Sequence, residues 1–170
     1  FYYDFELPRP LTEEDLPLIE KEMRKVLSEA GAFTCSTLPR GEAVARLSDS
    51  GQAYKLELLG DSPEEEEITF FDHGTWSDLC EGPHVEDAGQ IPVDGFKLTH
   101  TAGAYWRGDA DKPMLQRIYG TAWWSRKDLR RYLAWLEEVQ KRDHRRLGRE
   151  LDLFSLNPDF GAGLVFWHPK

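Results

Sequence analysis

Apolar side chains recur every three to four positions along one early stretch of the chain, which predicts an amphipathic helix over residues 15–30. Gly31 follows the last of them and supplies a stop signal. Pro17 then falls in the first turn, where proline is tolerated. A shorter helix is predicted over 39–47. The recurring apolar positions of the first helix are Leu16, Ile19, Met23, Val26, Leu27 and Ala30.

A second helical pattern begins at Ser125, where Asp128 three positions later completes a capping box. We expect one long helix over 125–150, because acidic residues lie near its start and basic residues toward its end, as the helix dipole favours. Its apolar stripe is formed by Leu129, Tyr132, Leu133, Leu136 and Val139.

Alternating or aromatic-rich runs predict β-strands elsewhere. The acidic run 64–67 is predicted to be a solvated turn, and the Pro- and Gly-containing tail from Leu151 a linker into another domain. Strands and helices do not alternate strictly, so the fold class is predicted to be α+β, an antiparallel sheet packed by helices and followed by the long helix. The predicted strands are 1–7, 52–59, 68–74, two stretches within 93–109, and 115–124.

Charge and composition narrow the class of protein. The 170 residues carry a net charge of −10, which argues against a general nucleic-acid binder. Nine basic residues nevertheless cluster within 126–149, and one local face can still meet a polyanion. No apolar run is long enough for a membrane span. Two cysteines cannot form a disulfide framework, which favours a cytoplasmic protein. The absence of Met at position 1 suggests a piece of a longer protein.

The stretch DLCEGPHV, residues 78–85, places a thiol, Cys80, and an imidazole, His84, four positions apart. Gly82 and Pro83 disfavour a helix there, but a loop can bring both side chains together. Thiol and imidazole are good zinc ligands. No second close pair exists, so Cys80 and His84 are at most partial ligands and no bound cofactor is predicted. The alternative is a buried cysteine and a hydrogen-bonded histidine in a turn.

Four further residues are candidates for a site. Asp78 can orient His84 or hold a water, or it caps a turn. Lys55 lies in a predicted strand among apolar neighbours, and the pattern alone favours a surface lysine on the polar face of that strand. Tyr105 and Arg107 can stack on and clamp a nucleotide end, or they belong to an ordinary strand.

Several segments together resemble bacterial threonyl-tRNA synthetases. The resemblance covers nearly the whole chain and implies three parts: an N-terminally truncated editing domain over 1–124, a linker helix over 125–150, and the start of the catalytic domain over 151–170. The matching segments, in order, are FYYDFEL, YKLELL, DLCEGPHV, KLTHTAGAYWRGD, MLQRIYGTAWWS, KRDHRRLGRELDLFS and GLVFWHPK.

The resemblance implies an editing site that hydrolyses Ser-tRNA(Thr). In the family this site combines an upstream His-x-x-x-His with residues that fall here on Asp78, Cys80 and His84, and with a lysine that falls on Lys55. The upstream pair would precede Phe1, so we expect the fragment alone to be impaired. One departure is visible, because Glu81 stands where the family usually has a basic residue.

The resemblance also implies partners and cofactors of the full-length family. These are tRNA(Thr), zinc and ATP with magnesium in the catalytic domain, and a homodimer formed through that domain. Two alternatives are a trans-editing deacylase of the alanyl-tRNA type, and a module that binds the tRNA acceptor end without cleaving it. AGAYWRGD and LQRIYGT favour the threonyl family.

Overall fold

The computed structural model describes residues 1–63, 67–156 and 163–169, which form helices and antiparallel sheets. The α+β class is therefore confirmed. In chain order the elements are β1 (Tyr2–Phe5), α1 (Leu16–Glu29), β2 (Thr34–Leu38), α2 (Arg40–Asp49), α3 (Ala53–Asp61), β3 (Ile68–His73), β4 (Trp76–Leu79), β5 (Phe96–Tyr105), β6 (Met114–Ala122), α4 (Arg126–Lys141), α5 (His144–Glu150), β7 (Phe154–Leu156) and β8 (Val165–Trp167).

The first sheet has the strand order β1-β6-β5 and is packed by α1. Leu16 of α1 lies in a buried cluster with Leu98 and Ile118 of the sheet. Glu20 on the same helix is only 3% exposed. Its carboxylate accepts a hydrogen bond from the backbone N–H of Leu98 and pairs with Lys97, so the helix is fixed to β5 by polar as well as apolar contacts.

The second sheet has the strand order β2-β3-β4 and is packed by α2 and α3. Its strands pair antiparallel throughout. Apolar side chains of the two helices meet one face of β3, which leaves the opposite face of β3 and β4 available for a site. The buried residues of this core are Ala43, Leu47, Leu59, Ile68 and Phe70.

The strand predicted over 52–59 is wrong, because this segment forms the helix α3. The prediction rested on the alternation of Tyr54, Leu56 and Leu58. In the structure Leu56 and Leu59 share one helical face and pack into the second core, whereas Leu58 is 47% exposed. Short apolar runs fit both periods, and here the position of the core selected the helical one.

The two strand-like stretches expected within 93–109 are one continuous strand, β5. It contains a register shift between Leu98 and His100. Gly103 lies in its middle. A Cβ atom there would lie 2.5 Å from the sulfur of Met114 on β6, so the glycine permits a close cross-strand contact.

The long helix predicted over 125–150 is two helices, α4 and α5. Its start is confirmed, because Ser125 accepts a hydrogen bond from the Asp128 backbone N–H at 3.1 Å. α4 ends at Lys141, and Asp143 then caps α5 by accepting from the backbone N–H of Arg145 at 2.8 Å. Asp143 therefore acts as a second helix start inside the predicted helix.

Of the other predicted segments, two helices are confirmed, and parts of two segments lie outside the residues that the structure describes. The helices predicted over 15–30 and 39–47 correspond to α1 and α2, and Pro17 lies in the first turn of α1. The tail, predicted to be a linker, pairs β7 with β8. Most of the acidic run 64–67 lies outside the described residues, as do 157–162 of the tail. None of the described helices is long and apolar enough to span a membrane.

Candidate functional site

Cys80 and His84 lie together in the loop that follows β4. The His84 Nε2 atom is 3.1 Å from the Cys80 sulfur, and the Gly82 backbone N–H donates to the same sulfur at 3.3 Å. No helix runs through this segment: Gly82 has a φ of 78°, and the Gly82–Pro83 peptide bond is cis. The left-handed turn at Gly82 brings the two side chains toward each other, as the sequence predicts. Glu81 between them is exposed.

The His84 ring is held between aromatic side chains. It stacks on Phe71 of β3 with centroids 4.0 Å apart and planes 15° apart. Phe33, which precedes β2, lies 5.1 Å away in a tilted orientation. Phe71 lies nearly parallel to the imidazole and Phe33 packs against it at an angle, and in this position the Nε2 atom faces the Cys80 sulfur.

Lys55 and Asp78 form a second pair. The Lys55 ammonium lies 2.5 Å from one carboxylate oxygen of Asp78, and the side chains are 18% and 9% exposed. The same oxygen accepts from the Leu79 backbone N–H, and the Tyr3 hydroxyl donates to the other oxygen at 2.6 Å. Lys55 comes from α3, Asp78 from β4 and Tyr3 from β1, so this cluster ties the two sheets together.

The cluster keeps its cation charged. Burial pushes the pKa of Lys55 down, but hydrogen bonds from its ammonium to Asp78 and Tyr3 outweigh burial and hold it above its ordinary value. Burial, together with the hydrogen bond to Asp78, raises the pKa of Tyr3. Lys55 is consequently a fixed positive charge at neutral pH and is unsuited to accept a proton.

The two pairs adjoin the same strand end but are separate. Asp78 lies in β4, and Cys80 is the first residue after the strand ends at Leu79. Among the described residues no hydrogen bond or ion pair links Lys55 or Asp78 to Cys80 or His84. An open apolar cavity of about 610 Å³ borders His84 and does not include the Lys55 cluster. It is lined by Val26, Phe33, His73, Trp76, Pro83, His84, Val85 and Ile91.

Tyr105 and Arg107 lie at the turn after β5. Tyr105 is 44% exposed and available to an incoming ring. The Arg107 guanidinium pairs with Glu57 at 3.2 Å and with Asp61 at 2.5 Å, both on α3. The predicted role of Arg107 in substrate binding would require its guanidinium to serve a ligand as well as these carboxylates.

A bound metal ion would need more ligands than Cys80 and His84 supply. No group of three or more His, Cys, Asp and Glu side chains suited to a metal occurs within 1–63, 67–156 and 163–169. Cys80 and His84 could contribute two ligands of the soft and borderline type that zinc prefers. Any further ligand would have to come from outside this set of residues.

Sequence reasoning missed the residues that hold the candidates in place. Tyr3 was interpreted only as part of an aromatic strand, yet it donates to Asp78, 75 positions away. Phe33 and Phe71 orient His84 but belong to ordinary apolar patterns. Local sequence patterns do not indicate contacts between residues so far apart in the chain; these contacts form only when the segments pack together.

Comparison with known proteins shows which proteins this chain is similar to. Residues 68–119 match a family described as the threonyl and alanyl tRNA synthetase second additional domain. The whole chain is 51% identical to a threonine–tRNA ligase of Polaromonas sp. strain JS666. Over 174 aligned residues it is 53% identical to a threonine–tRNA ligase of Thermus thermophilus. It spans about a quarter (26%) of the length of each of these relatives. The predicted resemblance is confirmed.

Proposed function

Since the chain resembles, along its whole length, a quarter-length segment of bacterial threonine–tRNA ligases, we propose that it supplies half of a site that hydrolyses Ser-tRNA(Thr). The observation that carries the proposal is the contact of His84 with the Cys80 sulfur on a backbone that turns at Gly82. In this proposal residues 1–124 belong to the editing domain, 125–150 connect it, and 151–170 begin the catalytic domain. The ligase is proposed to be a cytoplasmic homodimer that uses ATP with magnesium, and zinc, in its catalytic domain.

Such a site is needed because one pocket discriminates weakly between serine and threonine. Serine lacks one methyl group of threonine, and one methyl in a pocket discriminates by only about 1–3 kcal/mol. A second pocket that fits serine excludes threonine sterically, because overpacking is costly. Hydrolysis at that pocket removes the mischarged product and spares the correct one.

The chemistry assigns a role to each residue. Ester hydrolysis needs a positioned water and a stabilised oxyanion. His84 and Cys80 bind the amino or hydroxyl group of the seryl moiety and place the water. Lys55 stabilises the developing negative charge, a role that its raised pKa supports. Asp78 orients Lys55. Tyr105 and Arg107 contact the end of the tRNA.

The other half of the site is expected from a histidine pair that the 170 residues do not contain, since no His-x-x-x-His occurs in them. The segment alone should therefore hydrolyse Ser-tRNA(Thr) far more slowly than a full-length ligase that contains it. Groups that act as a unit fail together when one part is absent.

The test is single-turnover hydrolysis of labelled Ser-tRNA(Thr), with Thr-tRNA(Thr) as the control substrate. In a full-length ligase carrying this segment, Cys80→Ala and His84→Ala should each slow hydrolysis by about 100-fold or more. Threonine charging should stay near the wild-type rate. Matched controls are Cys35→Ala, an exposed cysteine on β2, and His144→Ala, whose side chain is 80% exposed.

Wild-type hydrolysis by both site variants would remove the Cys80–His84 pair from the mechanism. Fast hydrolysis by the 170-residue chain would overturn its assignment as half of a site. Binding of tRNA(Thr) without hydrolysis by the full-length ligase would favour the binding module instead. The match to threonine–tRNA ligases over the whole chain supports the threonyl assignment over the alanyl one.

A further inference from the structure

Glu57 on α3 forms hydrogen bonds and an ion pair with side chains of the turn that connects β5 to β6. One carboxylate oxygen accepts from Lys112 at 2.5 Å and lies 3.2 Å from the Arg107 guanidinium. The other accepts from the indole N–H of Trp106 at 2.9 Å, and Arg107 also donates to the Glu57 backbone carbonyl at 3.1 Å. The hydrogen bond from Lys112, and to a smaller extent the one from Trp106, holds the pKa of Glu57 below its ordinary value. The Glu57 carboxylate is therefore ionised at neutral pH.

This anchorage adds to the other contacts that fix α3, among them the hydrogen bond that Arg40 donates to the Leu59 backbone carbonyl and the ion pair of Lys55 with Asp78. The helix has nine residues, too few to be stable alone. Leu56 and Leu59 attach one of its faces to the second core. A lone exposed ion pair would add little. Glu57, however, makes four contacts to three side chains of one turn, and the ring of Tyr54 packs against Trp106 with centroids 4.9 Å apart.

The same helix carries Lys55 one half-turn earlier. Its ammonium reaches Asp78 through a stem of only four carbons, so the helix backbone must lie within that reach for the contact to form. The turn after β5 contacts α3 at Tyr54 and at Glu57, one on each side of Lys55 along the chain. Tyr3, which shares Asp78 with Lys55, comes from the same sheet as that turn. The sheet β1-β6-β5 therefore fixes both the backbone that carries Lys55 and the carboxylate that its ammonium meets.

We propose that Glu57 is a positioning residue for the Lys55 ammonium, and that the turn 106–112 belongs to the hydrolytic site as a clamp on α3. This inference rests on the proposed function. It concerns the rate of the chemical step at saturating enzyme, since Glu57 also pairs with Arg107, which the proposed function places against the end of the tRNA.

The test is a double-mutant cycle in a full-length ligase that contains the segment. Glu57→Ala should slow single-turnover hydrolysis of Ser-tRNA(Thr) by about 10- to 100-fold, as a displacement of about 1 Å can do. The rates are compared at saturating enzyme, so that any change in tRNA affinity through Arg107 does not enter the comparison. Added to Lys55→Ala, the same substitution should slow hydrolysis no further, because the group through which it acts is already gone. Glu57→Gln, which keeps the acceptor for Trp106, should restore part of the rate.

The matched control is Glu138→Ala, which removes an exposed carboxylate that pairs with Lys141 at 3.2 Å and Arg142 at 3.4 Å. It should leave the rate unchanged. A wild-type rate for Glu57→Ala, while Lys55→Ala is slow, would overturn the positioning role and leave the proposed function standing. A further loss in the double variant would show a structural role and overturn it too. A wild-type rate for Lys55→Ala would remove Lys55 from the proposed mechanism, and the role of Glu57 with it.

Discussion

Asp78→Asn is the most informative single perturbation of stability in this chain. The side chain is 9% exposed, and its carboxylate accepts from Lys55, from the Tyr3 hydroxyl and from the Leu79 backbone N–H. Asparagine keeps the shape and one acceptor oxygen but removes the charge and turns an amide N–H₂ toward one of the donors. The variant therefore separates the charge of Asp78 from its volume.

The expected loss of stability in Asp78→Asn follows from the burial of the Lys55–Asp78 ion pair. Breaking a fully buried ion pair costs about 3–5 kcal/mol. The Lys55 side chain is 18% exposed and can regain some water, so we expect a loss of about 2–4 kcal/mol. For a chain of this length that lowers Tm by roughly 4–16 °C. Asp72→Asn is the matched control, since that carboxylate pairs with Arg46 at 29% and 35% exposure and should cost at most about 1 kcal/mol.

The pH dependence supplies a second check. The pKa of Lys55 is raised above its unfolded value of 10.5. The contribution of the pair is thus fully present below the unfolded pKa and is lost as pH rises through the folded pKa. Urea unfolding of wild type and Asp78→Asn should differ most at neutral pH, below the unfolded pKa of Lys55, and converge as pH rises through its raised folded pKa. A difference no larger than that of Asp72→Asn at neutral pH, or one unchanged at high pH, would refute the reasoning.

Four further outcomes are expected. Lys55→Ala should lower the single-turnover rate of Ser-tRNA(Thr) hydrolysis more than it weakens tRNA binding, because its charge serves the transition state; a change in affinity alone would contradict this. Glu20→Gln should cost about 2–3 kcal/mol in urea unfolding at pH 7. Burial raises the pKa of Glu20, but hydrogen bonds from Lys97 and two further donors outweigh burial and lower this pKa below its ordinary value of 4.5. The difference in unfolding free energy between Glu20→Gln and wild type should therefore shrink as pH falls through the folded pKa. A difference that is constant with pH would refute the assignment. Ser125→Ala should cost about 1 kcal/mol, seen as a lower Tm, since it removes the cap of α4. Elemental analysis of the 170-residue chain should find less than one zinc per chain, and stoichiometric zinc would refute that prediction.

The sequence alone determined those features that depend on neighbouring residues. The spacing of apolar positions located α1, and Ser125 with Asp128 located the start of α4, because a helix cap is formed within four residues. The approach of Cys80 and His84 was also predictable, since a Gly-Pro break between residues four apart forces a loop that can close on itself.

Only the tertiary structure decided the features that depend on which surface a segment meets. The alternation in 52–59 fits a strand, but the second core required Leu56 and Leu59 on one face and made it a helix. That choice carried Lys55 to Asp78. It also set Glu57 against the turn at Arg107. The local sequence pattern limits which residues can share a face of a helix or strand. Which arrangement forms is decided by the free energy of burying that face against distant strands. No single segment of the sequence encodes that free energy.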